Sequence, residues 1–183
     1  FPMQLLFAKF FVVVTVVVGF IVDVPDPGVM DRPPRTPGSR IATGAQTVRW
    51  VVSGFLIAGP ALGVLAWGPG EPSTTDPSTS MTMAFAVVAF SAVNMGLVMR
   101  RERQAPWSSP VFPFLGWIFL GWALTLAAVE TRLLQRLLDT VSLTGAQWVL
   151  VIALSLISPA VMGVDKMLKI RRLDREHLAH LGQ

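Results

Sequence analysis

The sequence predicts an all-α membrane protein, a bundle of five transmembrane helices. Three observations carry that prediction. Apolar runs of about 20 residues, the length needed to cross a bilayer core, recur along the chain. Hydrophobic residues make up 52% of the 183 and charged ones only 14%, where soluble domains run near about a quarter charged. The cations also fall mostly on one set of run ends, the asymmetry that orients membrane proteins. Mean hydropathy is +0.59. By size residues 1–183 form a single membrane domain. There is no cysteine, which excludes disulfides, thiolate metal sites and cysteine nucleophiles. The net charge of +4 is accounted for by the asymmetry, so the expected partner is the lipid bilayer and not nucleic acid.

The first span covers about residues 4–22. It lacks a basic leading region and a small-residue cleavage site, so no cleavable signal is expected. Its lysine, Lys9, stands three residues ahead of a run that is β-branched from Val12 to Val18, which packs as continuous helix. The loop 23–47 is crowded with proline and charge and predicts an extended, turn-rich connection. The second span, about 48–67, carries Gly54, Gly59 and Gly63, small residues that allow close helix packing. GPGEPSTTDPSTS then reads as a polar joint without Lys or Arg. The third span is about 81–99, and Asn94 is its strong polar group; an interhelical hydrogen bond is favoured for it over ion contact. RRERQAPW leads to the fourth span, about 111–129. ETRLLQRLLDTVSLTGAQ predicts a short amphipathic turn or interfacial helix before the fifth span, about 148–164. TGAQ occurs at 43–46 and again at 144–147, each time before a span and with threonine in a capping position. The tail 165–183 is basic, with leucines at helical spacing, and predicts a helix near the membrane surface. His177 and His180 within it read as a solvated face. Trp50, Trp67, Trp107 and Trp148 read as interface anchors.

One set of helix ends holds Arg32, Arg35, Arg40, Arg49, Arg100, Arg101, Arg103, Lys166, Lys169, Arg171, Arg172 and Arg175; the opposite set holds only Arg132 and Arg136. The rich side is expected to be cytoplasmic. Five spans then put the amino terminus outside and the carboxy terminus in the cytoplasm, with the cell membrane the expected location. Such an amino terminus inserts awkwardly alone, which predicts something upstream or a partner.

GVMDRPPRTP, at 28–37, resembles the cytoplasmic loop after the sixth membrane helix of P-type cation-transporting ATPases, with the calcium pumps the nearest subgroup. PMQLL at 2–6 resembles the start of the sixth helix, Arg49 and Trp50 the opening of the seventh, and MTMAF at 81–85 the opening of the eighth. LTGAQW and SLISPAVMGVDKMLKI resemble the tenth helix and its exit. The resemblance therefore covers the whole chain and equates its spans with helices six to ten, the carboxy-terminal half of a pump's membrane domain.

That resemblance implies a cation-transport module, and it implies losses. The chain holds no DKTG phosphorylation motif, no TGES-like loop and no nucleotide-binding domain. It is therefore not expected to be an enzyme by itself; no catalytic residue, cofactor or metal site is assigned. Calcium pumps carry an asparagine, a threonine and an aspartate on the sixth helix, oxygens that suit a hard cation. The matching positions here are Lys9, Val12 and Val13. The acidic eighth-helix position falls at Ala92, with Asn94 the nearest polar residue. These five are the candidate positions of a degenerate ion site. The family analogy also makes Asp31, Arg32, Pro33, Pro34 and Arg35 a docking loop for a catalytic domain; a stiff surface loop is the plainer alternative.

Two explanations stay open for Lys9. An ammonium only donates hydrogen bonds and cannot coordinate a cation, but it can stand in the site as a tethered charge paired with a carboxylate of another chain. Alternatively its stem carries the charge to the headgroups. Two functions stay open as well: the transport part of a calcium-type pump whose catalytic part is absent, separate or cut away, or a non-transporting accessory or scaffold subunit of a membrane complex.

Overall fold

A computed structural model describes residues 2–24, 43–73, 75–100 and 111–172, and the helical backbone of 173–181. The described residues are all-helical, and five stretches are long and apolar enough to cross a membrane. α1 is Pro2–Val22, α2 Gly44–Trp67, α3 Thr79–Met99 and α4 Phe112–Glu130. A short α5, Arg132–Leu138, precedes a fifth span built from α6, Gly145–Ser155, and α7, Ile157–Leu181. Helices satisfy their own backbone groups, the condition for entering hydrocarbon.

Local chemistry sets the helix starts. The two TGAQ copies make the same capping box. Thr43 N–H donates to Gln46 Oε1 at 2.9 Å, while Gln46 N–H donates to Thr43 Oγ1 at 3.3 Å. Thr144 and Gln147 repeat the exchange at 2.7 and 3.5 Å. Each box satisfies two of the donors that a helix start leaves orphaned. Ser78 caps α3 by accepting from Met81 N–H.

α3 is the axis of the bundle. It packs against α1, α2, α4, α6 and α7, and 72% of its most apolar stretch is buried, against 17% for α2. Its sequence explains this. Ala84, Ala86, Ala89, Ser91 and Gly96 are small and buried, so neighbouring backbones approach closely, which is what holds helices together where lipid removes the hydrophobic incentive. A Cβ on Gly96 would collide with Val16 of α1. Gly121 of α4 performs the same service at the junction of three helices, where a Cβ would lie 2.8 Å from Thr15 Oγ1 and 2.9 Å from Val93 Cγ2. Gly54 and Gly59 of α2 meet nothing within 4 Å, so within the described residues they do not mediate the packing expected of them.

Two helices are irregular, each with an identifiable consequence. α1 contains a π-helical turn, Ala8–Val12, in which Val13 N–H donates to Ala8 O. The valine-rich run after it is regular α-helix. The fifth span breaks at Leu156. Pro159 has no N–H for the carbonyl four residues back, that of Ser155; Ser91 of α3 supplies the missing donor at 3.3 Å. A hydroxyl on a neighbouring helix thus repairs the ladder that proline interrupts.

The connection after α4 is fastened onto the end of the bundle. α5 ends at Asp139, whose φ is 51°. Gln4 Nε2 donates to Leu138 O at 3.0 Å and to Asp139 O at 3.1 Å. Thr140 Oγ1 donates to Ala128 O at 2.7 Å, and Val141 N–H donates to Thr82 Oγ1 at 3.1 Å. Glu130 accepts from Trp148 Nε1 at 2.9 Å and Leu143 N–H at 3.3 Å.

Gly121→Val is expected to destabilise the chain by about 1–3 kcal/mol, the usual result of overpacking, while Gly54→Ala stays within about 0.5 kcal/mol, as for an open surface position. Unfolding in mixed micelles by increasing dodecyl sulfate measures both. Equal midpoints for the two variants would refute the close approach of α1, α3 and α4 at Gly121.

Candidate functional site

The positions that the family resemblance marks for cations do not converge on a polar cavity. Lys9 sits in the π-helical turn and is exposed, whereas Val12, at the end of the same turn, is completely buried in the core. Val13 and Ala92 are half-buried. Asn94 is buried, and its Oδ1 accepts from Trp122 Nε1 at 3.0 Å. That is the interhelical hydrogen bond favoured from the sequence, and it joins α3 to α4. Thr15, one turn beyond Val12, donates to the Val12 carbonyl at 2.7 Å. Its hydroxyl is therefore directed to its own helix. Among the described residues no three His, Cys, Asp or Glu side chains cluster in a way that could hold a metal ion. The proposed docking residues Asp31, Arg32, Pro33, Pro34 and Arg35 lie outside the described residues.

The polar geometry concentrates instead at the end of the bundle where α1 and α3 stop and α2 and α4 begin. Arg100, the residue after α3, is 1% exposed, and Asp23, the residue after α1, is 8% exposed. Arg100 Nε donates to Asp23 Oδ2 at 2.5 Å and Nη2 to Oδ1 at 2.9 Å. This two-pronged, charge-assisted geometry is the strong form of an ion pair. The Arg100 guanidinium also lies 5.7 Å from the ring centroid of Phe114 at the start of α4, within cation–π reach. One side chain therefore ties the ends of α1, α3 and α4.

A second set of contacts brings in the remaining spans. Lys166 of α7 donates through Nζ to Val98 O at 2.7 Å and to Arg100 O at 2.6 Å. Those carbonyls belong to the last turn of α3 and the residue after it, where helices leave acceptors unsatisfied and favour a cation. One residue earlier, Asp165 pairs with Arg49 of α2 at 2.6 Å. That pair is one-third to one-half exposed and contributes less than the buried one. Adjacent residues of α7 thus grip α3 and α2.

The sequence reading treated Arg100, with Arg101 and Arg103, as a topology determinant, and did not single out Asp23. The structure adds a packing role for Arg100: it is a core residue with a partner 77 positions away. The available signal was positional. An acid and a base, each flush with the end of a span and on the same side by the charge count, are placed to meet.

A family model described as "Cation transporting ATPase, C-terminus" matches residues 1–168. No curated protein matches the chain.

Two substitutions test this geometry. Arg100→Met is expected to cost about 3–5 kcal/mol, because it removes one partner of a buried ion pair, and Asp23→Leu combined with Arg100→Met to recover most of that loss. A double variant as unstable as the single one would show that the pair's charges are not the source of the effect. Lys9→Met is expected to raise stability in a lipid-like micelle, by at most about 3 kcal/mol; a loss would instead reveal a carboxylate paired with Lys9.

Proposed function

The chain belongs to the family formed by the C-terminus of cation-transporting ATPases, and from that premise we propose that it is the membrane module of a calcium-type pump without a working ion site of its own. The family match supports the descent. The observation that carries the loss of the ion site is the burial of Val12: hydrocarbon fills the core at the position where the calcium pumps place an oxygen ligand. Lys9 and Val13 lack the expected carbonyl and carboxylate, and Ala92 lacks the acid. Asn94 keeps an amide, but its oxygen is engaged by Trp122. The five positions are thus a degenerate site, whose packing suits a rigid anchor better than a pathway.

Within this proposal the module does not hydrolyse ATP by itself, because its 183 residues hold no phosphorylatable DKTG motif. A catalytic domain docks on Asp31 to Arg35, a role that rests on the resemblance of that loop. Residues 1–183 act as one membrane domain. The excess of cations on one set of ends supports a carboxy terminus in the cytoplasm and an amino terminus outside, with the cell membrane as the location. The second reading, a non-transporting accessory or scaffold subunit, is favoured by the same degenerate positions.

Calcium at millimolar concentration is expected to leave the thermal midpoint of the purified chain unchanged. A calcium-dependent rise would refute the loss of the ion site. Purification from the native membrane distinguishes the two functions: a co-purifying chain with a phosphorylatable aspartate supports the pump module, and its absence supports the scaffold.

A further inference from the structure

Lys9 lies within α1 and is exposed on the outside of the bundle. Its depth follows from the contacts on either side of it. Phe7 meets Phe85 of α3, with ring centroids 6.5 Å apart, and Val16 lies against Gly96. Lys9 therefore stands level with the middle of α3, roughly 12 Å from the nearer end of that helix. A four-carbon stem does not cover that distance, so the ammonium stays in hydrocarbon. Among the described residues it has no hydrogen bond or ion pair.

The backbone holds it there. Residues three and seven apart share a face of a regular α-helix, so an unbroken helix would bring Lys9 to the side of Val12 and Val16, both buried. The π-helical turn at Ala8–Val12 rotates it out of the core instead, and such turns recur at functional sites. The surface around Lys9 suits a helix. Leu5, one turn earlier, is 61% exposed and Phe10, the next residue, 65%. Alongside runs an apolar groove of about 230 Å³ between α1, α2 and α3, walled by Ala8, Ala61 and Ala84. Side chains this small admit a close backbone.

We propose that this face of α1 docks a membrane-spanning helix that carries one carboxylate at mid-depth, paired with the Lys9 ammonium. Charge complementarity selects the occupant. An unpaired ammonium in hydrocarbon is costly, and a facing carboxylate removes that cost. A purely apolar helix leaves it unpaired, and a lipid phosphate lies at the membrane surface, out of reach. A second copy of this chain has no suitable acid. Within its spans the acidic residues are Glu130, at the very end of α4, and Asp165, which pairs with Arg49 beside the last turn of α3. The proposal holds under either function proposed above.

The test places the full chain in phosphatidylcholine vesicles with a labelled polyleucine helix as the probe, and reads association by energy transfer. The probe bears Glu, Gln or Leu at its centre, or Glu one turn from its end. The central-Glu helix is expected to bind about tenfold more tightly than the Leu helix, the scale of one polar contact between helices in lipid. The Gln helix and the end-placed Glu helix are expected to gain less. Lys9→Met is expected to abolish the preference without lowering the thermal midpoint of the chain alone, and Lys9→Arg to keep it. Lys9→Glu is expected to transfer the preference to a probe with a central Lys. The proposal is overturned if central Glu binds no better than Leu, if Gln or end-placed Glu equals it, if the preference survives Lys9→Met, or if Lys9→Glu does not transfer it.

Discussion

α3 is the helix on which the others converge, and what makes convergence possible is the small size of its side chains. In water a helix of alanine, serine and glycine would have little to hold neighbours with. In lipid the comparison is different, because apolar side chains are equally well solvated by acyl chains and by one another. Association then depends on how closely backbones approach and on which polar groups find partners across the gap. Gly96 lets α1 close on α3, and Gly121 lets α4 close on both. The hydrogen bonds follow from that closeness: Ser91 reaches Ser155 O, and Trp122 reaches Asn94. Larger side chains along α3 would have separated these partners before any charge or cap could act.

The two ends of the bundle are held by different chemistry. At one end the Gln4 amide, the Thr82 and Thr140 hydroxyls and the Glu130 carboxylate fasten the connection after α4 to α1, α3 and α4. At the other, formal charges join α1 to α3, α7 to α3, and α7 to α2. Buried ion pairs give little net stability against hydrocarbon alternatives, so the Asp23–Arg100 pair is better understood as a device of registry. It fixes where α1 and α3 stop relative to each other, and an isolated charge at either position would be costly. Arg49, Asp165 and Lys166 also line a cleft between α2, α3 and α7.

Much of this architecture is legible in the amino-acid order, because it rests on quantities that act locally. The number of spans follows from runs of hydrocarbon, and the TGAQ boxes follow from residues three apart. The short helix before the fifth span is visible in its alternation of leucine with polar residues. Asn94 was correctly matched with a neighbouring helix, since a lone amide in hydrocarbon has few other options. What was not legible depends on three-dimensional placement. A cation at the end of a span looks the same whether it faces headgroups or a carboxylate 77 residues away, so Arg100 is counted with the orienting charges and its pairing with Asp23 is not foreseen. Gly54, Gly59 and Gly63 of α2 looked like a packing face, yet Gly54 and Gly59 meet open space. The burial of Val12 beside an exposed Lys9 depends on how α1 is rotated, which the composition of a valine-rich run does not specify.

The π-helical turn at Ala8–Val12 has a geometric consequence for everything before it. Each residue of an α-helix advances the azimuth by about 100°, and the wide turn accommodates one residue more than an α-helical turn would. Gln4, Phe7 and Ala8 therefore face the bundle together with Val12 and Val16, although a straight rod would aim the first group elsewhere. Shortening this stretch by a single residue would leave its hydropathy almost untouched. It would nonetheless turn the leading segment like a key, swinging the Gln4 amide away from the Leu138 and Asp139 carbonyls that it holds.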